Sequence, residues 1–502
     1  MSTDIKNVAV IGAGTMGAGI AQVAAQSGYQ VVLFDLEKGK AAEAKATIAA
    51  RLGKSVAKGK ISQEQKETLL EAMFCSETLA DVAEADLVIE AIVENLEIKQ
   101  SLFRQLEDLC KPSVILATNT SSISVTSIAS ALARPERCIG LHFFNPAPLM
   151  KLVEVVRGIA SATDIVETGK SWVESCGKHA VITRSLPGFI VNRVARPFYA
   201  EGLRALECGV AEVQDIDTIM TQAGQFNMGP FELMDLIGHD VNYAVTKSVF
   251  DAYYQDKRFL PSLVQKELVE AGFLGRKSGR GFYDYSADAT KPEVNIAPSC
   301  SVNVDWTLSL SGDWSQAPTF AKWVGLPITN TQSTQPCLEV NGVRVMPTQC
   351  ETASQLSYQL EQPVVLVDYC QDYGSSDVIA IAPAIQNTEE QTKAVIGYFQ
   401  AKGKRVIVLD DYPGLIAWRT WMMLINEALD LVNQKGASLA DVDVAMKSGV
   451  NYPFGPIEQG QSLGWSRVLQ SIENLQAFYC EERYRPSPLL RRFALQSQRG
   501  EK

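Results

Sequence analysis

The chain has 502 residues, of which 46% are hydrophobic and 21% are charged. This length exceeds what one ordinary hydrophobic core can hold, so we expect about two to four domains in a globular rather than a disordered protein. A formal net charge of −11 argues against nucleic acid as a partner.

The amino-terminal segment and the pattern of cysteines indicate the cellular compartment in which the protein is expected. The segment MSTDIKNVAVIGAG has no charged leader before an apolar run, and no apolar stretch approaches the roughly 18 residues that a membrane span needs. The ten cysteines are scattered and form no C-x-x-C pair, which favours reduced thiols over disulfides or a zinc site. We therefore expect a cytoplasmic protein with no metal site and no membrane partner.

The first predicted elements flank a glycine-rich turn. VAVIG has the length of a strand, GAGTMG has G-x-G-x-x-G spacing at Gly12, Gly14 and Gly17, and a helix follows. YQVVLFD predicts a second strand and ends in Asp35, which is placed to bind ribose hydroxyls. This order predicts a pyrophosphate at the helix N-terminus, with a ligand-free turn as the alternative. Asp35 would repel the additional phosphate of NADP, so the motif favours NAD.

Residues 38–60 are basic in an otherwise acidic protein. They contain six lysines and one arginine against one glutamate. The segment predicts a helix inserted after the second strand, and two interpretations stay open: a solvated helical face, or a surface that meets a polyanionic part of the substrate.

Two further strand-to-helix transitions continue the first half of the chain. ADLVIEAIVENLEIKQ and VILATNTSSISVTSIA each place polar residues after an apolar strand, where doubly wound sheets hold their ligands. Ser121 and Ser122 lie in the second transition. From the local sequence alone, helix capping near Val125 is the favoured role for these serines.

A histidine and a glutamate interrupt the next two apolar runs. CIGLHFF and MKLVEVV are strand-like and are joined by the turn-forming NPAP. If the runs pair antiparallel about Pro148, His142 lies opposite Glu154. Each residue then accounts for the presence of the other in an apolar run, because a buried carboxylate needs a polar partner and an imidazole can provide one. The carboxylate would orient the imidazole and leave its second nitrogen for proton exchange with a substrate. A purely structural buried pair is the alternative.

Six segments in order resemble the L-3-hydroxyacyl-CoA dehydrogenase family. They are VIGAGTMGAGIA, EAIVENLEIKQ, TNTSSISVTSIA, GLHFFNPAPLMKLVEVV, PGFIVNR and MGPFELMDLIG, and they cover residues 5 to about 285. The resemblance implies NAD-dependent oxidation of a (3S)-3-hydroxyacyl-CoA substrate to the 3-oxoacyl-CoA. It also implies that the basic insertion contacts coenzyme A.

The resemblance further implies roles for individual residues. The implied catalytic residues are His142, Glu154, Ser121 and Asn192. The implied cofactor-binding residues are Gly12, Gly14, Gly17, Asp35, Glu94, Lys99, Ser121 and Asn145. His142 would take the hydroxyl proton as a hydride leaves C3 for the nicotinamide, while Ser121 and Asn192 would hold substrate oxygens. One departure is Ser185, where the family usually has an aspartate, and we expect it to loosen the loop before the next helix.

The second half of the chain repeats the first. PGLIAWR at 413 repeats PGFIVNR at 187, and FGPIEQGQSLG at 454 repeats MGPFELMDLIG at 228, both at an offset of 226. An ungapped alignment at this offset places the four catalytic positions, His142, Glu154, Asn192 and Ser121, on Asp368, Ala380, Trp418 and Pro347. No second glycine motif occurs between 290 and 360, so we expect a second copy without catalytic function.

The repeat predicts the overall architecture. We expect a Rossmann-type doubly wound NAD-binding domain at 1–184 and a first helical domain at 185–290. We expect a linker with a degenerate nucleotide fold at 291–410, and a second helical copy at 411–502. The second copy is predicted to pack on the first as an intramolecular pseudo-dimer, with segments near 190–250 and 415–475 in contact, in a monomer or homodimer.

The two-copy layout refines the expected substrate. It resembles bacterial dehydrogenases of similar length that oxidise 3-hydroxyadipyl-CoA in phenylacetate catabolism. A 3-hydroxybutyryl-CoA substrate is the alternative within the class. A non-catalytic NAD-binding protein of the crystallin kind is the alternative outside it.

Overall fold

The fold is given by a computed structural model that describes residues 5–300, 306–314, 317–329 and 335–498. The chain forms two compact units, Met1–Arg193 with Gln434–Val450, and Val194–Asn433 with Asn451–Lys502. Parts of the predicted linker, at 301–305, 315–316 and 330–334, lie outside the described residues. Within the described ranges, no helix combines the length and apolarity needed to cross a membrane.

The first unit is an α/β structure. Its strands are β1 (Asn7–Ile11), β2 (Gln30–Phe34), β3 (Met73–Ser76), β4 (Leu87–Glu90), β5 (Ile115–Thr118), β6 (Cys138–Phe143), β7 (Leu152–Arg157) and β8 (His179–Arg184). Its first seven helices are α1 (Thr15–Gln26), α2 (Lys40–Ala57), α3 (Gln63–Glu71), α4 (Leu96–Leu109), α5 (Val125–Ala129), α6 (Thr163–Ser175) and α7 (Val191–Val194).

The eight strands form one sheet in the order β3-β2-β1-β4-β5-β6-β7-β8. The first six run parallel, β7 is antiparallel to β6, and β8 is parallel to β7. Val8 and Val10 of β1 enter one buried cluster and Ala9 and Ile11 the other, because successive strand residues face opposite sides of the sheet. Both faces are therefore covered, and the predicted doubly wound sheet is confirmed.

The glycine-rich turn after β1 has the predicted form. Gly12 has a φ of +99° and occupies the left-handed region that glycine tolerates. A Cβ on Gly17 would lie 1.7 Å from the carbonyl oxygen of Gly12, so α1 packs directly on the turn. A Cβ on Gly14 would meet nothing within 4 Å, which leaves open space beside the N-terminus of α1.

The basic segment forms α2, as predicted. Ala41, Ala44, Ile48 and Leu52 are buried at helical spacing, while Lys54 and the lysines that follow the helix are exposed. This arrangement places the positive charges on a solvent-facing surface and leaves both interpretations of the segment open.

The second unit combines helices with a smaller sheet. Its helices are α8 (Arg196–Glu207), α9 (Val213–Thr218), α10 (Pro230–Ile237), α11 (His239–Ala252), α12 (Leu263–Glu270), α13 (Pro318–Val324), α14 (Ala353–Leu360), α15 (Glu389–Ala401), α16 (Ala417–Asn433), α18 (Pro456–Leu463), α19 (Trp465–Tyr479) and α20 (Pro488–Gln498). Its strands are β9 (Leu308–Ser311), β10 (Ile328–Thr329), β11 (Cys337–Val340), β12 (Val343–Pro347), β13 (Val364–Val367), β14 (Val378–Pro383) and β15 (Arg405–Val408).

One helix of the second repeat, α17 (Leu439–Val450), belongs to the first unit. It packs on β7 and β8. A Cβ on Gly449 would lie 2.5 Å from the side chain of Leu152, so glycine is needed for this close approach. The second repeat therefore does not form one compact unit by itself.

The second sheet retains the last four strands of the first. β12 and β13 are parallel, β13 and β14 antiparallel, and β14 and β15 parallel, as are β5 to β8 in order. The offset of 226 holds for β13 to β15, but the pairing of Arg344 with Val364, against Leu116 with Cys138, requires 228 at β12. The ungapped placement of Ser121 on Pro347 was therefore wrong by two residues.

The two helical repeats contact each other within the second unit. α8 from the first repeat packs on α16 from the second. Arg419 Nε donates to Glu201 Oε2 at 2.7 Å, and the ring centroid of Trp421 lies 5.0 Å from that of Phe226. The predicted contact between the repeats is therefore present within the second unit.

Candidate active site

The His142 and Glu154 pair lies on adjacent antiparallel strands. β6 and β7 pair with His142 directly opposite Glu154, which confirms the predicted register. The Nδ1 atom of His142 lies 2.6 Å from Oε2 of Glu154. Because an ionised carboxylate only accepts hydrogen bonds, Nδ1 carries the hydrogen and the Nε2 atom is the nitrogen left for proton exchange.

The second carboxylate oxygen of Glu154 supports the following helix. Oε1 accepts backbone N–H bonds from Ile190 at 3.0 Å and Val191 at 2.9 Å. These donors lie at the start of α7, where helix N–H groups lack intrahelical partners. Glu154 is fully buried, so its three hydrogen bonds fix both His142 and the segment that carries Asn192.

Aromatic rings enclose the imidazole of His142. The ring centroids of Phe144 and Phe189 lie 4.5 Å and 5.7 Å from it. His142 is 5% exposed. Burial among rings strengthens the interaction with Glu154, because a low dielectric weakens the competition of water.

The two residues expected to hold substrate oxygens are differently placed. Asn192 follows the capped start of α7 and is half-buried, and its side chain makes no hydrogen bond among the described residues. Ser121 is also half-buried and its backbone N–H donates to Glu94. Both have a side-chain polar group available to a ligand.

The expected capping role of Ser121 and Ser122 is wrong. The cap of α5 is Ser124, whose side chain accepts from the backbone N–H of Ser127. Ser122 instead donates its hydroxyl to Oε1 of Glu94 at 2.9 Å. The helix begins later than the two serines, which leaves them in the loop that follows β5.

An ion network in which Lys99 and Glu90 are buried and Glu94 is exposed lies next to this loop. Lys99 is 1% exposed, and its Nζ atom lies 2.5 Å from Glu90 Oε1 and 3.2 Å from Glu94 Oε2. Glu94 Oε1 accepts from Thr120 and from the Ser122 hydroxyl. Burial raises the pKa of Glu94, but these hydrogen bonds and the charge of Lys99 outweigh it and hold the pKa below its usual value.

The sequence analysis missed Glu90, which anchors the network. It accepts hydrogen bonds from Ile92 N and Thr118 Oγ1, both at 2.7 Å, and is fully buried. An acid that ends the apolar run LVIE was the available signal, and the nearby Lys99 was its partner. The ammonium group of Lys99 lies between Glu90 and Glu94, and its ion pair with Glu94 helps to orient the Glu94 side chain.

Asp35 directly follows β2 and lies beside the glycine turn. Its Oδ2 accepts from Ala13 N at 2.6 Å and its Oδ1 from Glu37 N at 2.9 Å. Each oxygen retains a second lone pair for a ribose hydroxyl. Asn145, the remaining residue expected to contact NAD, is exposed in the turn between β6 and β7.

The expected loosening by Ser185 is not observed. The Ser185 hydroxyl accepts from Val125 N at 3.0 Å, and the Ser185 backbone N–H donates to Arg157 O at 2.9 Å. The hydroxyl supplies the acceptor that a carboxylate would otherwise provide, so the loop is anchored.

The equivalent position in the second repeat has a single carboxylate and no histidine. Asp368 follows β13 opposite Ala380 and accepts backbone N–H bonds from Ile416, Ala417 and Trp418 at 2.8 to 3.0 Å. One aspartate at the position of His142 thus performs the capping that Glu154 performs in the first repeat. The helix start is preserved and the proton-transfer pair is lost.

Most of the chain matches two domains of one known enzyme family. Residues 7–186 match the family profile "3-hydroxyacyl-CoA dehydrogenase, NAD binding domain". Residues 188–285 and 414–502 match "3-hydroxyacyl-CoA dehydrogenase, C-terminal domain". The chain belongs to the 3-hydroxyacyl-CoA dehydrogenase family. It is an NAD-dependent oxidoreductase whose substrate is a 3-hydroxyacyl-CoA.

Further comparisons concern the second half of the chain and the chain as a whole. Residues 345–413 match "3-hydroxybutyryl-CoA dehydrogenase reduced Rossmann-fold domain". The Escherichia coli protein named 3-hydroxyadipyl-CoA dehydrogenase is 47% identical over 99% of this chain and 98% of its own length. A solved structure described as 3-hydroxybutyryl-CoA dehydrogenase from Escherichia coli is 46% identical, covers 99% of this chain and 100% of its own, and has a TM-score of 0.91. A Bradyrhizobium diazoefficiens 3-hydroxybutyryl-CoA dehydrogenase is 43% identical over 57% of this chain and 97% of its own length.

Proposed function

We propose that the protein oxidises (3S)-3-hydroxyadipyl-CoA to 3-oxoadipyl-CoA in phenylacetate catabolism, with His142 as the general base. The observation that carries the catalytic assignment is the 2.6 Å contact between His142 Nδ1 and Glu154 Oε2. This contact leaves Nε2 to take the proton of the 3-hydroxyl group. Glu154 stabilises the imidazolium that results.

The remaining site residues position the substrate and the cofactor. NAD, when bound, supplies the hydride acceptor for C3 of the substrate. Ser121 and Asn192 donate to substrate oxygens, which fixes the reacting carbon in place. In the reverse direction, the His142 imidazolium protonates the 3-keto oxygen at Nε2.

The residues after β1, β2 and β4 fit a dinucleotide. The open space at Gly14 lies beside the start of α1, which has no side-chain cap and no acid in its first turn. Helix N–H groups in that position bind pyrophosphate. Asp35 binds the ribose hydroxyls, Glu94 and Asn145 bind further polar groups of NAD, and Lys99 contributes by orienting Glu94.

The choice of acyl group rests on the full-length relative. The Escherichia coli protein named 3-hydroxyadipyl-CoA dehydrogenase has the same two-repeat length, whereas the Bradyrhizobium protein covers 57% of this chain. A 3-hydroxybutyryl-CoA substrate is the second candidate, because the solved Escherichia coli structure is described by that activity.

A substrate comparison tests this choice. The initial rate of NADH formation is measured with the 3-hydroxyadipyl, 3-hydroxyhexanoyl and 3-hydroxybutyryl thioesters of coenzyme A. We expect the highest kcat/KM with the adipyl thioester, and the hexanoyl thioester is its neutral control of equal chain length. A clear preference for either neutral acyl group would refute the adipyl assignment.

The second repeat is proposed to be structural. The contact of α8 with α16 supports an intramolecular pseudo-dimer with one active site per chain, in a monomer or homodimer. We propose functional domains at 1–184, 185–290, 291–410 and 411–502, a cytoplasmic location, and contact of the basic segment 38–60 with coenzyme A.

A further inference from the structure

A small cavity lies within the second unit, beyond the carboxyl ends of β12 and β13. Its volume is about 140 Å³. Pro347 and Val367, the last residues of these two strands, line it. The other lining residues come from 317–319, 369–373, Trp418 and 462–467. Because α/β sheets hold their ligands beyond the carboxyl ends of parallel strands, this position suits a ligand.

The corresponding position in the first repeat holds two of the proposed site residues. At the offset of 226, Gln371 corresponds to Asn145 and Trp418 to Asn192. The volume of the cavity is close to the ~150 Å³ that accommodates benzene. The cavity is therefore too small for a dinucleotide, but it is large enough for one ring or a short chain.

The one charged side chain in the described lining belongs to Arg467. Arg467 is 6% exposed, and its guanidinium carbon lies 4.1 Å from the ring centroid of Trp418. Burial lowers the pKa of Arg467 to about 10, so the guanidinium keeps its charge at neutral pH. The described lining contains no aspartate or glutamate. The cavity therefore presents a positive charge to a ligand and no carboxylate that would repel an anion.

The nearby Asp368 belongs to the helix start and not to the cavity. Its Oδ1 accepts from the backbone N–H groups of Tyr369 at 2.7 Å and Trp418 at 3.0 Å. Its Oδ2 accepts from those of Ile416 at 3.0 Å and Ala417 at 2.8 Å. Both oxygens are thus directed at backbone N–H groups, and Asp368 does not line the cavity.

Gln371 adds a hydrogen-bond donor to the lining. Its Oε1 accepts from the hydroxyl of Tyr369 and from Nε2 of Gln459, the latter at 3.2 Å. Because both bonds go to the oxygen, the amide nitrogen of Gln371 is left as a donor. Gln371 is half-buried. A neutral donor and a guanidinium on one small cavity are groups that bind an anion.

The rest of the lining includes an apolar surface. Proline, valine and leucine side chains provide part of it, and the rings of Tyr369, Tyr373 and Trp418 provide the remainder. An inorganic anion would leave these groups against water, and a neutral apolar molecule would not use the charge of Arg467. An organic carboxylate uses both, because guanidinium matches the geometry of a carboxylate and an apolar group can pack on the rings.

We propose that this cavity binds a small organic carboxylate. The carboxylate group accepts hydrogen bonds from Arg467 and Gln371, and a ring or chain of about six carbon atoms packs against the apolar surface. The site has no proton-transfer pair, because Asp368 and Ala380 stand at the positions that correspond to His142 and Glu154. It therefore adds a binding function to the second repeat, and it does not depend on the proposed oxidation.

The test is calorimetric titration of the full-length protein with benzoate and with benzamide, its neutral analogue of similar size. We expect benzoate to bind at one site, and benzamide to bind about 10- to 100-fold more weakly, the effect of a hydrogen-bonded charge. Arg467→Met should weaken benzoate binding by a similar factor and abolish the difference between the two ligands. Lys393→Met is the control, because this exposed residue pairs with Glu389 and does not line the cavity, and it should leave both affinities unchanged.

Gln371→Glu provides a second test that does not require a change at a buried residue. The glutamate keeps the oxygen that accepts from Tyr369 and Gln459, but it places a negative charge beside the bound carboxylate. We expect benzoate to bind at least about 10-fold more weakly to this variant. Gln386→Glu makes the same change at an exposed residue outside the lining and should bind benzoate as the wild type does. If Arg467→Met does not fold, as measured by circular dichroism, Gln371→Glu decides the question.

Four results would each overturn the inference. They are no saturable binding of benzoate to the wild type, equal affinities for benzoate and benzamide, wild-type benzoate affinity in Gln371→Glu, and inorganic phosphate bound as tightly as benzoate. Hydrogen exchange measured by mass spectrometry locates the ligand. We expect benzoate to slow exchange in the segment 367–373, and protection confined to the first unit would place benzoate elsewhere and count equally against this site.

Discussion

Replacing Glu154 with glutamine separates its two functions. The side chain keeps its length, so the amide oxygen can still accept the N–H bonds of Ile190 and Val191. The amide nitrogen would then face His142 Nδ1 and donate to it. That reversal places the imidazole hydrogen on Nε2, so the ring can no longer accept a proton there from the substrate.

The expected loss is much larger for turnover than for stability. Removing a general base lowers kcat by about 10²- to 10⁴-fold, which corresponds to about 3 to 5 kcal/mol. The stability cost is about 1 to 2 kcal/mol, because one charge-assisted bond becomes neutral while the backbone bonds remain. Glu154→Ala leaves two buried N–H groups without acceptors, and at about 1 to 3 kcal/mol each it should cost about 2 to 6 kcal/mol in addition to the lost turnover.

The assay combines NADH absorbance with denaturant unfolding on the same samples. Asp368→Ala is the matched control, since Asp368 caps the equivalent helix start in the second repeat and has no histidine partner. We expect it to lower the free energy of unfolding while kcat per folded chain stays at the wild-type value. A Glu154→Gln enzyme with wild-type kcat would refute the mechanism, and one as unstable as Glu154→Ala would refute the separation of functions.

Three further predictions concern the active site. His142→Gln should lower kcat by about 10²- to 10⁴-fold while NADH still binds, as measured by fluorescence titration, and unchanged turnover would exclude His142 as the base. The wild type should prefer NAD to NADP in kcat/KM, and Asp35→Ala should weaken NAD binding and reduce the preference; equal values for both cofactors in the wild type would contradict this role. Calorimetric titration should find one NAD per chain, whereas two sites would show that the second repeat binds a cofactor.

The sequence predicted those features that depend on short-range pattern and on pairing. The order of strand, glycines, helix and acid predicted the turn at Gly12, and antiparallel pairing of two apolar runs about Pro148 predicted that His142 faces Glu154. His142 and Glu154 are polar residues in neighbouring apolar runs, so few other side chains of these runs could pair with either of them. Such features are local in sequence, which is why they were accessible.

Features that depend on tertiary contacts were missed or misplaced. The hydrogen bond from Ile190 N, at the start of α7, to Glu154 joins residues 36 positions apart, and no pattern in either segment predicts it. Ser122 was expected to cap the helix near Val125 but donates to Glu94, because Ser124, the residue directly before the helix, is the cap. Likewise, the two-residue shift at β12 follows from strand pairing, which an ungapped alignment ignores.

The contact between the helical repeats includes the buried charge of Arg419, which would destabilise the fold if it had no partner of opposite charge. Arg419 is 1% exposed, and its Nε atom lies 2.7 Å from Oε2 of Glu201, which is 3% exposed. Its guanidinium also lies 4.2 Å from the ring centroid of Tyr412. Burial raises the pKa of Glu201, but the charges of Arg204 and Arg419 outweigh it and hold the pKa below its usual value. A carboxyl group with a lowered pKa contributes stability above its unfolded pKa and loses it as the pH falls through the folded value.

Arg419→Met should therefore have two effects. The free energy of unfolding at neutral pH should fall by about 3 to 5 kcal/mol, the usual cost of removing one partner of a buried pair. The loss of stability on acidification should also become smaller and be complete at a higher pH, because the folded-state pKa of Glu201 rises when only Arg204 and Arg483 remain to lower it. The double variant Arg419→Met/Glu201→Gln should recover part of the neutral-pH loss, since no unpaired carboxylate remains. Denaturant unfolding across pH 3 to 8 measures both effects, and an unchanged midpoint in Arg419→Met would show that this ion pair does not hold the two helical repeats together.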